Sequence, residues 1–156
     1  MRSVLVLLIA LLTTAAGSAA AQSARLGPEE RNAILGYPLT LDRANALISA
    51  MTAVTQYTVS LPDFQNRLAR SAKLTPTERR AQMEQDPTIS KILKQNGLSA
   101  RDYLVGVPTL RMALMAAQGV TAPTVVASPS NVDFAKANLT QLKPKMDQAD
   151  GLVRPR

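Results

Sequence analysis

From residue 40 onward, apolar residues recur three and four positions apart, the spacing that gathers them on one face of an α-helix. Leu41, Ala44, Leu47, Ile48, Met51 and Val54 form the first such stripe. Thr40 stands ahead of it as a cap for the first-turn amides, Asp42 suits the positive end of the helix dipole, and the β-branched run VTQYTVS ends it near Val59. Pro62 opens a short second segment with Phe64, Leu68 and Ala72 on one side, ending by Lys73 or Leu74. Thr75, Pro76 and Glu78 make a capping box around a first-turn proline, and Asp86-Pro87 repeats the cap-then-proline signal. Ile89, Ile92 and Leu93 are the inward side of that fourth segment, and Gly97 stops it.

The strongest start signal is LSARDY at residues 98–103: Ser99 caps, Asp102 occupies the third helical position, and Leu98 staples against Tyr103. This helix is expected to reach Gln118, with Gly119 as a left-handed stop. Tyr103, Val107, Leu110, Leu114 and Ala117 give it a long continuous apolar face, so the others are expected to pack around it. Pro108 has no amide to donate and clashes one turn back, which predicts a kink at Gly106-Val107. Two readings follow: a core helix bent for packing, or one bent around a pocket for a small apolar ligand at Gly106, Pro108 and Arg111. Arg111 must reach a carboxylate, a helix end or the surface, because a buried, unpaired guanidinium is too costly.

VTAPTVVASPS, residues 120–130, reads as a crossing loop and contains the one strand candidate, VTAPTVVA. The final helix is expected from Ser130 or Asn131, with Phe134, Ala135, Leu139, Leu142 and Met146 inward and Pro144 bending or ending it. Residues 22–38, broken by Gly27-Pro28, Gly36 and Pro38, read as loosely ordered with a helical turn near 28–35, and residues 151–156 as a flexible tail. The fold class is therefore all-α: a single domain over 39–150, built as a small bundle of about five helices.

The extreme N-terminus follows a different rule. Arg2 precedes the apolar run Val4 to Leu12, and small residues lead to Ala19-Ala20-Ala21, the pattern of a signal peptide cleaved after Ala21. The run is half the roughly 20 residues a membrane span requires. Residues 102–119, opened by Asp102 and divided by Arg111, do not make a span either. The expected location is periplasmic or secreted, with no membrane span after cleavage. No cysteine is present, so an exported domain of this sequence has neither disulfides nor a thiol for lipid attachment.

Charge and chemistry narrow the functional classes. The formal charge is +7, and losing Arg2 with the leader lowers it by one. Export argues against nucleic acid as a partner, and aromatic residues are only 3% of the chain, too few for base-stacking platforms. The expected partner is a protein or an anionic component of the envelope. Arg67, Arg70, Lys73, Arg79, Arg80, Lys91 and Lys94 either converge on one anion-attracting face or are solvated ends of amphipathic helices. With no histidine, cysteine or tryptophan, the common nucleophilic triads, histidine acid-base catalysis, His or Cys zinc sites and the usual haem or iron-sulfur ligation are all missing. Glu84 with Asp86 is a candidate carboxylate pair, but Glu78, Asp86, Asp102 and Asp133 have capping or first-turn positions, the remaining acids sit in polar runs, and Asp147 to Gly151 lacks the ligand series of a calcium loop. No catalytic residue, cofactor or metal site is expected.

YPLTLDRANALISAM, GLSARDYLVGVPTLRMALMAAQG and SPSNVDFAKANLTQL together resemble a family of small exported proteobacterial helical proteins of unassigned function. The likeness implies a helical fold and carries no catalytic residue. A weaker resemblance is to the periplasmic chaperones marked by L-T-x-x-Q: Leu39-Thr40, Leu74-Thr75 and Leu139-Thr140 start the motif, but Arg43, Glu78 and Lys143 stand where its glutamine belongs. The expected function is a non-enzymatic, exported interaction or structural module. The alternatives are a periplasmic chaperone or stress protein, and a carrier of a small apolar ligand near the Pro108 kink.

Overall fold

The computed structural model describes residues 27–122 and 125–152. Among these the chain forms seven helices and no strand: α1 (Pro28–Gly36), α2 (Leu41–Ser60), α3 (Phe64–Ser71), α4 (Pro76–Gln85), α5 (Pro87–Gln95), α6 (Ala100–Ala117) and α7 (Pro129–Gly151). The fold is all-α, as the periodicity predicts. The expected leader, residues 22–26 and the last four residues of the tail lie outside the described residues.

Three long helices make the core. α6 packs most extensively on α7, and α2 packs on both. Leu47 and Met51 of α2, Leu110 of α6 and Leu142 of α7 are sealed from solvent, each arriving through the helical spacing seen in the sequence. α1 lies on α6, α5 on α2 and α6, α4 on α5 and α6, and α3 on α2.

Most start and stop signals work as read, but Pro62 lies in the turn before α3, which starts at Phe64 after Asp63, rather than in its first turn. Thr40 Oγ1 accepts from the Arg43 amide, Thr75 and Glu78 exchange bonds in a capping box, and Asp86 Oδ1 accepts from the amides of Thr88 and Ile89. Ser99 Oγ accepts from the Asp102 amide while Asp102 Oδ2 accepts from the Ser99 amide, so two free donors at the start of α6 are satisfied reciprocally. Gly97 and Gly119 end their helices at φ +67° and +80°, where a side chain would be strained.

The Ser99 hydroxyl, more than any other group, holds the Asp102 carboxyl below the usual carboxylate range, with the Ser99 amide, Arg43 and Arg101 adding to it against a desolvation that pulls upward. A depressed native value means stability present above the unfolded value of about 4 and lost as pH falls through the native one. Asp102→Asn is therefore expected to destabilise by about 0.3–1 kcal/mol at pH 7 and to approach wild type in acid. Denaturant midpoints measured at both pH values check this; an equal loss at both would contradict it.

Four further expectations change. The count is seven helices among the described residues against about five: the six helical segments that the sequence marks from residue 40 onward all form, and the segment before residue 39 contains another. That segment, expected as loosely ordered with one turn, holds the nine-residue α1, which starts with Pro28 and a Gly27 amide bonded to Glu30 Oε2 at 3.1 Å. Ile34 of α1 and Tyr37 after it are buried, so α1 is held by packing that its weak periodicity did not reveal. α7 begins one or two residues earlier than read, with Ser128 as cap and Pro129 in the first turn, and it continues through Pro144 to Gly151, including the first residue assigned to the tail. The strand candidate is not a strand at residues 120–122 and 125–127; its middle lies outside the described residues.

Candidate functional site

Between α1 and α2 the chain runs extended through Tyr37, Pro38 and Leu39, and one side chain fixes it. Asn131, buried in the first turn of α7, donates through Nδ2 to the Tyr37 carbonyl at 2.9 Å and accepts at Oδ1 from the Leu39 amide at 3.1 Å. A side-chain amide carries both a donor NH2 and an acceptor oxygen, so Asn131 serves these two backbone groups as a neighbouring strand would.

This clamp sets the ring of Tyr37 against α6. A Cβ on Gly106 would lie 2.9 Å from Tyr37 Cζ and 2.8 and 2.9 Å from the two Leu47 methyl carbons, so only glycine lets ring and helix approach this closely. On its other side the ring carries the Arg43 guanidinium, 5.2 Å from its centroid, in a cation–π contact. Tyr37 Oη is shielded from solvent and has no hydrogen-bond partner among the described residues. Burial raises its pKa first of all, with Arg43 opposing and Asp102 reinforcing the shift.

Beside the ring is a groove of about 400 Å3, with Ala33 of α1 and Val105 of α6 among its apolar walls. Arg43, Arg101 and Asp102 line it as well. Neither arginine has a carboxylate within ion-pairing distance among the described residues. Both stand in the first turn of a helix, Arg43 in α2 and Arg101 in α6, where a cation opposes the dipole. The arrangement favours holding an anion and offers no nucleophile aligned with a base. A second, more open depression of about 410 Å3 at Ala116, Val120 and Val125 has no ionisable group in its lining.

The residues expected around a Pro108 pocket are placed differently. Gly106 is filled by Leu47 and Tyr37, and α6 continues through Pro108. Next to Pro108, buried Thr109 donates from Oγ1 to the Val105 carbonyl at 2.7 Å and lies 3.4 Å from the Ile34 carbonyl, joining α1 to α6. Arg111 reaches a carboxylate: its guanidinium pairs with Asp150 of α7, both four-fifths buried, and also touches Met51 Sδ of α2 at 3.7 Å. It ties the three core helices together.

The seven cations proposed as one face are mostly engaged on their own helices. Arg67 and Arg70 both pair with Asp63, at 2.7 and 3.2 Å, and Arg80 with Glu84 at 3.6 Å. Arg67 lowers the Asp63 carboxyl pKa chiefly through that hydrogen bond. Arg79 donates to the Leu74 carbonyl, which it caps. Lys73, Lys91 and Lys94 are exposed. Glu84 pairs with Arg80 and Asp86 caps α5, so each of that candidate acid pair has a structural partner.

Sequence reasoning passed over Tyr37, Arg43 and Asn131. Arg43 had a legible signal, since a cation in a first turn breaks the dipole rule and invites a second reason for its presence. The class defined by these features is a small helical bundle with a cationic groove at two helix starts. No protein family, curated protein or solved structure matches the chain.

Proposed function

We propose that this chain is an exported, non-catalytic helical interaction module that meets its partner through α3 and α4. The observation that carries the reading is that these two helices have no buried residue, and Met83 is the one side chain of the pair packed against the core cluster. A segment that contributes so little to the core is present for a contact made elsewhere. Phe64 and Leu68 share one side of α3, Arg67 and Arg70 another, and exposed Val59 stands nearby at the end of α2. Apolar anchors beside arginines are what protein contact surfaces use. The leader-like N-terminus supports export, and the absence of histidine and cysteine supports a non-catalytic role. No helix among the described residues is long and apolar enough to cross a membrane.

A photo-crosslinking residue placed at Gln65 of α3 and, as control, at Lys136 of α7 tests this in the envelope fraction of the native cell. Gln65 is expected to give a discrete adduct that Lys136 does not. No adduct from Gln65, or the same adducts from both, would remove the reading. Arg67→Ser with Arg70→Ser is expected to abolish the Gln65 adduct while leaving the unfolding midpoint unchanged, because exposed ion pairs add little to stability.

A further inference from the structure

We propose that the groove between α1, α2 and α6 is a binding site for a small amphiphilic monocarboxylate, held by Arg43, Arg101 and the hydroxyl of Tyr37. This site lies apart from the α3–α4 surface and stands or falls independently of it.

Three observations converge. The first is the Tyr37 hydroxyl. The residue is nine-tenths buried, Oη is fully shielded, and no atom of the described residues bonds it. Buried polar groups in folded proteins have partners, and an unmet one costs stability. Its ring end rests on Gly106, next to Val105 and one turn from Asp102, both of which line the groove. Because Oη is shielded, a groove ligand supplies the partner Tyr37 lacks by displacing the Arg43 side chain that lies over the ring.

The second is the pair of guanidinium groups. Arg43 and Arg101 occupy the first turns of two different helices, each against its helix dipole, and neither has a carboxylate partner among the described residues. Two such placements facing one groove are accounted for by an anion that both arginines and both helix starts would stabilise.

The third is the charge and shape of the lining. Asp102 keeps its negative charge, because Ser99 holds its pKa low, and it spends Oδ2 on the α6 cap. Two cations and one anion leave a surplus of one positive charge, which suits a monoanion better than a doubly charged phosphate. Ala33 and Val105 give apolar walls, and about 400 Å3 is within the usual range for small-ligand sites. A short apolar tail against those walls and a carboxylate between the arginines satisfy every group named. Asp102 then acts as a selectivity element, repelling a second negative charge.

The test uses the mature chain with hexanoate, hexylamine and inorganic phosphate as probes, followed by NMR and calorimetry. Hexanoate is expected to shift the Tyr37 and Val105 signals saturably, with hexylamine and phosphate at least tenfold weaker. Arg43→Gln and Arg101→Gln are each expected to weaken hexanoate at least tenfold; Arg101→Gln should leave the melting temperature of the free protein unchanged or higher, since it removes a cation from a helix start, whereas Arg43→Gln also loses the contact with the Tyr37 ring. Tyr37→Phe separates binding from structure: it should weaken hexanoate yet leave the free protein as stable as before or more so, because it deletes an unpartnered hydroxyl. Absence of saturable shifts, equal binding of hexylamine or phosphate, or unchanged affinity in both arginine variants would overturn the proposal. So would a Tyr37→Phe protein that is less stable and binds hexanoate normally, the result expected if the hydroxyl serves only an enclosed water.

Discussion

Asn131→Leu is expected to lower the stability of the folded protein by about 2–4 kcal/mol, because it leaves two buried backbone groups without partners at once. Leucine has the same branched heavy-atom skeleton as asparagine but bulkier methyls, so the loss reports mainly on hydrogen bonding with a smaller packing contribution. Today the Leu39 amide donates to Asn131 Oδ1 and the Tyr37 carbonyl accepts from Nδ2. Both flanking side chains, Tyr37 and Leu39, are buried, so solvent reaches these backbone groups only if the connector lifts away. Removing one partner of a buried hydrogen bond leaves the other with its full desolvation penalty, about 1–3 kcal/mol each, and partial lifting recovers some of it. Urea denaturation checks the size of the effect, and a midpoint change worth less than about 1 kcal/mol would contradict it. Asn131→Asp should fall between wild type and leucine, since an aspartate still accepts from Leu39 but cannot donate to Tyr37.

The same residue marks where sequence reading stops. Most local signals were legible: Thr40, Thr75, Asp86 and Ser99 each cap the helix they were read to cap, and Gly97 and Gly119 have the left-handed backbone that a stop requires, while the Ser128 cap of α7 and the start of α3 after Asp63 were missed. These are decided within four or five residues of chain, where hydrogen-bond reach and backbone sterics suffice. Asn131 acts across 92 residues, and nothing near it in sequence distinguishes it from an ordinary first-turn polar residue. α1 was underestimated for a related reason, since its retention depends on Ile34 and Tyr37 finding α6 rather than on its own periodicity.

The charged residues divide along the same line. Arg111 was read as needing a carboxylate, and Asp150 of α7 supplies it, but the partner could be named only once two helices were brought together. The cations of α3 and α4 stand out in the sequence by number, yet Asp63, Glu84 and the Leu74 carbonyl absorb most of them locally. Arg43 and Arg101 lie 58 residues apart in sequence, and their shared groove exists only because α1, α2 and α6 meet at Tyr37. Their common feature, a cation at the wrong end of a helix, was visible without the fold. It is a better guide to the candidate site than the density of positive charge.

Gly106→Val is expected to cost about 1–3 kcal/mol or more, and its outcome decides what the glycine and proline inside α6 are for. On helix propensity alone the change is slightly favourable, since glycine is the weakest helix former after proline. Packing opposes it: the first added carbon already falls 2.8 Å from one Leu47 methyl and 2.9 Å from Tyr37 Cζ, well inside contact distance, and valine adds two methyls beyond it. Leu47 is sealed in the core and has no free volume to retreat into, so the Tyr37 ring must yield toward the groove. Gly106→Ala is the finer probe, because about 1 kcal/mol of helix propensity then works against a smaller clash and the net sign reports how far the ring can move. Denaturation midpoints of both variants, with the Tyr37 ring signals followed by NMR, measure the two effects together. If valine is accepted with no loss of stability and no movement of Tyr37, unfilled space exists beside Gly106, and a ligand pocket at the Pro108 turn returns as the better account. Loss of stability together with a displaced Tyr37 ring assigns Gly106 to close packing and places the ligand chemistry one turn earlier on α6, at Arg101, Asp102 and Val105.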